Sequence, residues 1–168
     1  SFFYADEGAL TQRFAAHALA APSFAPTTSR AGATSAALVQ DPDGEWVELV
    51  VVPGASQEVY DTIELGMTVS DLEKSRAFYR EFVGLDALPP VQDPVLGVIR
   101  YPYRHGTTTV TVWSFGKGLA ANTRSAGIQY VVSHVEAVDL RAKAQNVKID
   151  TPLGNFSAGL RTIWLSDP

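Results

Sequence analysis

The sequence predicts an α+β fold assembled from a repeated βαβββ unit. Three observations predict it. The first is an internal period: Thr68-Val69-Ser70-Asp71-Leu72-Glu73 matches Val131-Val132-Ser133-His134-Val135-Glu136 at an offset of 63 residues. Twice that offset carries Leu38-Val39-Gln40-Asp41-Pro42 onto Trp164-Leu165-Ser166-Asp167-Pro168. The second is the pattern at the first landmark, an apolar stretch ending in Ser-x-x-Glu. In such a capping box the Ser hydroxyl takes a helical amide and the Glu reaches back, so strand gives way to helix. The third is a regular exchange of helical spacing for period-two alternation along the chain.

On this register three units begin at Ser1, Glu64 and Gly127. Helices are expected over residues 8–19, 71–83 and 135–145. Each carries an apolar stripe: Leu10, Phe14 and Ala18; Leu72, Ser75, Tyr79 and Phe82; Val135, Val138 and Ala142. The strands alternate in the complementary way. Leu65, Met67 and Val69 oppose Glu64, Gly66 and Thr68; Val110 and Val112 oppose Thr109, Thr111 and Trp113; Leu49 and Val51 oppose Trp46, Glu48 and Val50. The apolar sides are expected to meet the helices, leaving a partly polar second face to line a cavity. Turn-forming segments at residues 22–35, 89–97 and 151–159 fall at equivalent places in the units and read as rims or lids. The third unit stops at Asp167-Pro168, where the first runs on through Asp43-Gly44 into a last strand, so one hairpin arm is missing from it.

Composition bounds the function. With 168 residues, 46% hydrophobic and 18% charged, the chain can bury a core as an ordinary globular protein does. Thirteen Lys and Arg against 18 Asp and Glu give a net charge of −5, and no basic run could neutralise a row of phosphates, so nucleic acid is not an expected partner. There is no cysteine, which removes disulfides, thiolate metal sites and thiol nucleophiles. No apolar run approaches the roughly 20 residues of a membrane helix, so no membrane partner is expected. The opening Ser-Phe-Phe-Tyr-Ala-Asp-Glu has neither an initiator Met nor signal-peptide order, so it reads as cut or processed, and a cytoplasmic location is expected.

Two stretches carry a family resemblance. One is Ile63-Glu64-Leu65-Gly66-Met67-Thr68-Val69-Ser70-Asp71-Leu72 running into Lys74-Ser75-Arg76-Ala77-Phe78-Tyr79 and Gly84-Leu85. The other is Asp41-Pro42-Asp43-Gly44-Glu45-Trp46-Val47-Glu48-Leu49-Val50. The first resembles the opening strand and helix, and the second the closing turn and carboxylate-bearing strand, of the vicinal oxygen chelate superfamily of glyoxalases, bleomycin-resistance proteins and extradiol dioxygenases. The resemblance implies curved mixed sheets with helices on the outer face. It implies that residues 1–63 are one βαβββ unit, the second half of a truncated first domain. Residues 64–168 then form a glyoxalase-like domain of two units lacking its last strand. It also implies a cup holding a divalent metal, with ligands on first and last strands. In this register the first-strand positions are Ser1, Glu64 and Gly127, and the last-strand positions are Glu48 and Thr111.

Within residues 64–168 that set is thin, because only Glu64 offers a metal-ligating side chain and Gly127 and Thr111 stand at the other sites. Glu48 joins it if the first unit pairs with the second, or across a dimer interface. Glu64 is the candidate catalytic residue, and Glu48 with Glu64 the candidate metal ligands. Thr111, Trp113 and Gln129 are candidate pocket residues on the cavity face. Each has a structural alternative: solvated strand carboxylates, core packing, or a Gln satisfying backbone groups. His17, His105 and His134 form no constellation, and no Ser-His-Asp set is spaced for a hydrolase triad. Gly116-Lys117-Gly118 reads as a linker rather than a phosphate loop. Three functions fit. The resemblance implies an isomerase, lyase or dioxygenase type of enzyme acting through a metal on a carbonyl-bearing or aromatic molecule. The alternatives are a metal-free binding or sequestration protein of bleomycin-resistance type, and metal-free acid–base catalysis by Glu64. A homodimer is expected, because the incomplete third unit leaves a strand edge to cover.

Overall fold

The computed structural model describes residues 1–28, 30–93, 96–116 and 127–168. Lys117 and Gly118 of the expected linker lie outside the described residues, as do Ser29, Pro94 and Val95 of two rim loops. The chain divides into two units. The first comprises Ser1–Thr68 with Asp86–Phe115, the second Val69–Leu85 with Gly116–Pro168. Among the described residues no helix is long and apolar enough to cross a membrane.

The first unit is built on a nine-stranded mixed sheet. Its strands are β1 (Phe2–Tyr4), β2 (Ala25–Pro26), β3 (Ser35–Gln40), β4 (Trp46–Val51), β5 (Ile63–Thr68), β6 (Asp86–Ala87), β7 (Val91–Asp93), β8 (Val98–His105) and β9 (Thr108–Trp113). They run in the order β2-β3-β4-β1-β5-β9-β8-β6, with β7 on β8. At the centre β1 lies antiparallel to β5, Phe2 opposite Ile63, while β4 and β9 flank them in parallel. The strands of the first repeat thus continue the strands of the second. β4 and β9 carry the equivalent positions Glu48 and Thr111.

Local chemistry sets the element ends. Helix α1 (Glu7–Ala16) starts where the Asp6 carboxylate accepts the Ala9 amide at 2.6 Å, and Glu7 in the first turn suits the helix dipole. Leu10 and Phe14 of its stripe pack inward, Leu10 buried against Leu49 and Val51 with Tyr4 alongside, while Ala18 lies past the helix end and is exposed. The β3–β4 hairpin closes on Asp41, whose Oδ1 accepts the amides of Asp43 (2.9 Å) and Glu45 (2.8 Å). Gly44 follows at φ +83°, a conformation that costs any residue with a Cβ. A short α2 (Gln57–Asp61) precedes β5 and is held by the Tyr60 hydroxyl donating to the Val52 carbonyl at 3.0 Å. Val110 and Val112 are almost fully buried, as their alternation predicts.

The second unit holds α3 (Leu72–Ala77), which widens into a π turn at Phe78–Val83, then α4 (Val135–Ala144) and a hairpin of β10 (Ile149–Ser157) and β11 (Leu160–Leu165). Ser75, Tyr79 and Phe82 are buried along one stripe of α3 and its π turn, and Ala142 is buried on α4. The Arg141 guanidinium lies 4.9 Å from the Phe82 ring centre. The Ser75 hydroxyl donates to Asp167, and the Tyr79 hydroxyl faces the same carboxyl. Burial pushes Asp167 above the usual carboxylate value, an effect these donors oppose, and raises the Tyr79 hydroxyl as well.

Four expectations change. The N-cap of α3 is Asp71, not Ser70, because an ionised carboxylate is the stronger acceptor for the Lys74 amide (3.2 Å) and also pairs with the Lys74 ammonium. At the equivalent place in the third repeat His134 caps α4 without a side-chain bond, so Ser133 makes no capping box. Residues 127–134 form no strand; Val131 is 93% exposed, and an extended segment without a ladder partner has nothing to hold it. Residues 151–157, read as loop, lie in β10, where a two-stranded hairpin with register shifts tolerates Pro152 and Gly154.

Candidate functional site

The first unit gathers a charged cluster on the face of the sheet that Glu48, Glu64, Thr111 and Trp113 share. Glu64, on β5, is 7% exposed, more buried than its apolar neighbour Leu65 at 37%. The alternation of β5 predicts the reverse. The reason is direct: Glu64 Oε2 accepts from Arg30 Nε at 2.7 Å and Oε1 from the Thr111 hydroxyl at 2.6 Å, so partners cover the carboxylate. Glu48, on β4, accepts from the Ser1 hydroxyl at 2.5 Å through Oε2, which also lies 3.5 Å from Arg30 Nη2.

A second guanidinium completes the cluster. Arg100, on β8, binds Asp93 Oδ2 through Nη2 at 2.5 Å, and its Nη1 stands 3.7 Å from Glu48 and 3.9 Å from Glu64. Asp93, at the end of β7, is 2% exposed and also accepts the Leu96 amide at 3.0 Å. Three carboxylates thus alternate with two guanidiniums, each carboxylate ion-paired where burial would otherwise make its charge costly. The Arg100 guanidinium also sits 5.2 Å from the Trp113 ring centre. The indole closes onto β5 at Gly66, where an added Cβ would fall 2.5 Å from Cη2 of Trp113. The absence of a side chain there is what lets the ring lie against the strand.

The structure therefore brings Glu48, Glu64, Thr111 and Trp113 together and adds Ser1, Arg30, Asp93 and Arg100. Gln129 belongs to the second unit, where it is exposed on a segment without strand structure. Arg30, Asp93 and Arg100 are the members that residue-by-residue reading passes over. A signal for two of them exists: Arg30 and Asp93 are 63 residues apart, so the repeat places both at the same point of equivalent rim loops. A cleft of about 640 Å³ lies in the second unit, lined by Ser70, Lys74, Phe78, Lys148, Ser166 and Asp167 among others, and includes none of the predicted site residues.

Comparison with solved structures fixes the architecture. Glyoxalase I from Zea mays, in a mutant form, superposes with a TM-score of 0.71 at 22% identity over 99% of this chain and 62% of that one. The chain has the vicinal oxygen chelate fold. A glyoxalase family protein from Enterococcus faecalis shares it with a TM-score of 0.51 at 19% identity, over 62% of this chain and 87% of that one. No family model and no curated protein matches the sequence.

The vicinal oxygen chelate resemblance implies a divalent metal, so the donor set must be tested for one. Glu48 and Glu64 are both held by Arg30, and the remaining oxygens at the ligand positions are the hydroxyls of Ser1 and Thr111. Hydroxyls are weak ligands, and a guanidinium already stands between the two carboxylates. Among the described residues no three His, Cys, Asp or Glu side chains come together as a metal-holding group. With the Arg30 guanidinium in place, these residues do not fit a divalent ion. Each Glu64 oxygen accepts one hydrogen bond, Oε2 from Arg30 and Oε1 from Thr111.

Proposed function

We propose that this chain is a metal-free small-molecule binding protein of the vicinal oxygen chelate fold. Its ligand class is a carbonyl-bearing or aromatic molecule, held on the sheet face that carries Trp113 and the arginine–carboxylate cluster. One observation carries the reading: Arg30 Nε and Nη2 bridge Glu64 and Glu48, the two carboxylates nearest a ligand set. Fixed guanidiniums offer N–H donors to a ligand oxygen, and the indole offers an apolar, polarisable wall. The cluster itself is largely shielded, with the Arg30 side chain 13% and that of Glu48 16% exposed.

The test is a thermal-shift and tryptophan-fluorescence screen with phenylglyoxylate, benzoate and catechol, each with and without EDTA. Stabilisation that EDTA leaves unchanged, with fluorescence quenching lost in Trp113→Phe and kept in Trp164→Phe, is the expected result. Turnover of a probe that stops on chelation would replace this reading with a metal-dependent isomerase, lyase or dioxygenase, the activity class that the superfamily resemblance implies.

A further inference from the structure

Arg30 occupies a particular place. It comes from the rim loop between β2 and β3, yet its head group lies between carboxylates from two different strands, β4 and β5. The Ser1 hydroxyl adds an oxygen to Glu48, and the Thr111 hydroxyl adds one to Glu64. The two carboxylates, each also holding a hydroxyl, thus meet at one guanidinium, and that cation is part of the polypeptide. We infer that Arg30 is the resident cation of the Glu48–Glu64 pair, holding the place a divalent ion would take and keeping such an ion out. This deepens the metal-free reading and rests on it.

The physical argument is charge compensation. Two carboxylates brought together with side chains 16% and 8% exposed repel each other and are costly without a positive partner. A guanidinium satisfies both with directed hydrogen bonds, and a hard divalent ion would satisfy the same oxygens at shorter range. The two cations compete for one position, so removing the guanidinium opens it. Arg100 does not substitute, because its closest carboxylate is Asp93 and it stands farther from both glutamates.

The experiment measures Mn²⁺ binding by electron paramagnetic resonance in wild type, Arg30→Ala, Arg30→Ala/Glu48→Gln and Glu64→Gln, with melting curves for each. Wild type is expected to bind no stoichiometric Mn²⁺. Arg30→Ala should bind one Mn²⁺ per chain about tenfold or more tightly than wild type, with a rise in melting temperature, and Glu48→Gln in that background should reverse the gain. Methylguanidinium ion should stabilise Arg30→Ala, leave wild type unchanged, and compete with Mn²⁺. If Arg30→Ala is unfolded alone, refolding by Mn²⁺ or methylguanidinium supports the inference and failure of both overturns it. A folded Arg30→Ala that gains no Mn²⁺ overturns the inference while the metal-free reading stands. Stoichiometric Mn²⁺ on wild type, lost in Glu64→Gln, overturns both.

Discussion

At the scale of single residues, Arg100 joins burial, charge and aromatic contact in one side chain. Arg100→Met keeps the length of the side chain and removes the charge, leaving Asp93, 2% exposed, without its closest cation. Breaking one side of a buried pair costs about 3–5 kcal/mol. Urea denaturation should show a loss of that size, and a change below about 1 kcal/mol would mean that the pair is far better solvated than its burial implies. Gly66 makes a second residue-scale prediction. A methyl group there meets Trp113 ring atoms at 2.5 and 2.7 Å, so Gly66→Ala must swing the indole. The expected cost is about 1–3 kcal/mol, with a shift in the Trp113 emission that Trp113→Phe removes.

At the scale of elements, the π turn after α3 ends at Gly84, with φ +83°, and the Leu85 amide returns to the Tyr79 carbonyl at 3.0 Å. Gly84→Ala should lower stability by about 1–2 kcal/mol through backbone strain alone, as read from the melting curve. The contact of α3 with Asp167 is expected to depend on pH. Asp167 has its pKa raised by burial, so the folded form favours the protonated acid. The stabilising state is present below the ordinary carboxyl value of 3.8 and is lost as pH rises through the raised folded value. Asp167→Asn, which still accepts from Ser75, should therefore raise the melting temperature at pH 7 and have little effect near pH 3. An equal effect at both pH values would show that charge burial is not the cause.

At the scale of the whole molecule, the two units differ in how much they bury. In the first, Leu49 to Val51, Val110 and Val112 are at most 4% exposed and belong to a nine-stranded sheet. In the second, the hairpin of β10 and β11 has no third strand among the described residues, and Phe156 and Trp164 are 72% and 55% exposed. Two strands are marginal by themselves. Amide hydrogen exchange should therefore be fastest in β10 and β11 and slowest in β5 and β9, with the second unit opening at lower denaturant. Equal protection in both units would contradict this. The fold itself was largely readable, since α1, α4 and strands β4, β5 and β9 lie where the 63-residue period and the alternation put them. Each of those signals is local, and a repeat is a statement about the same local order made again.

The site divides along the same physical line. Side-chain parity put Glu64 on the polar side of β5, Thr111 and Trp113 on one side of β9 and Glu48 on one side of β4, because alternation is a property of any single strand. The repeat also marks Arg30 and Asp93 as equivalent loop positions. What sequence order alone left open was which strands are neighbours. The pairing of β1 with β5 brings Arg30 to Glu64 across 34 positions of chain and sets it beside Glu48. The sequence by itself determined the repeat, α1, α4 and strands β4, β5 and β9, and the polar side of each of those strands. The tertiary structure alone decided that the two carboxylates meet a guanidinium rather than an open coordination site, because ion pairing depends on distance in space, which strand order and loop path determine.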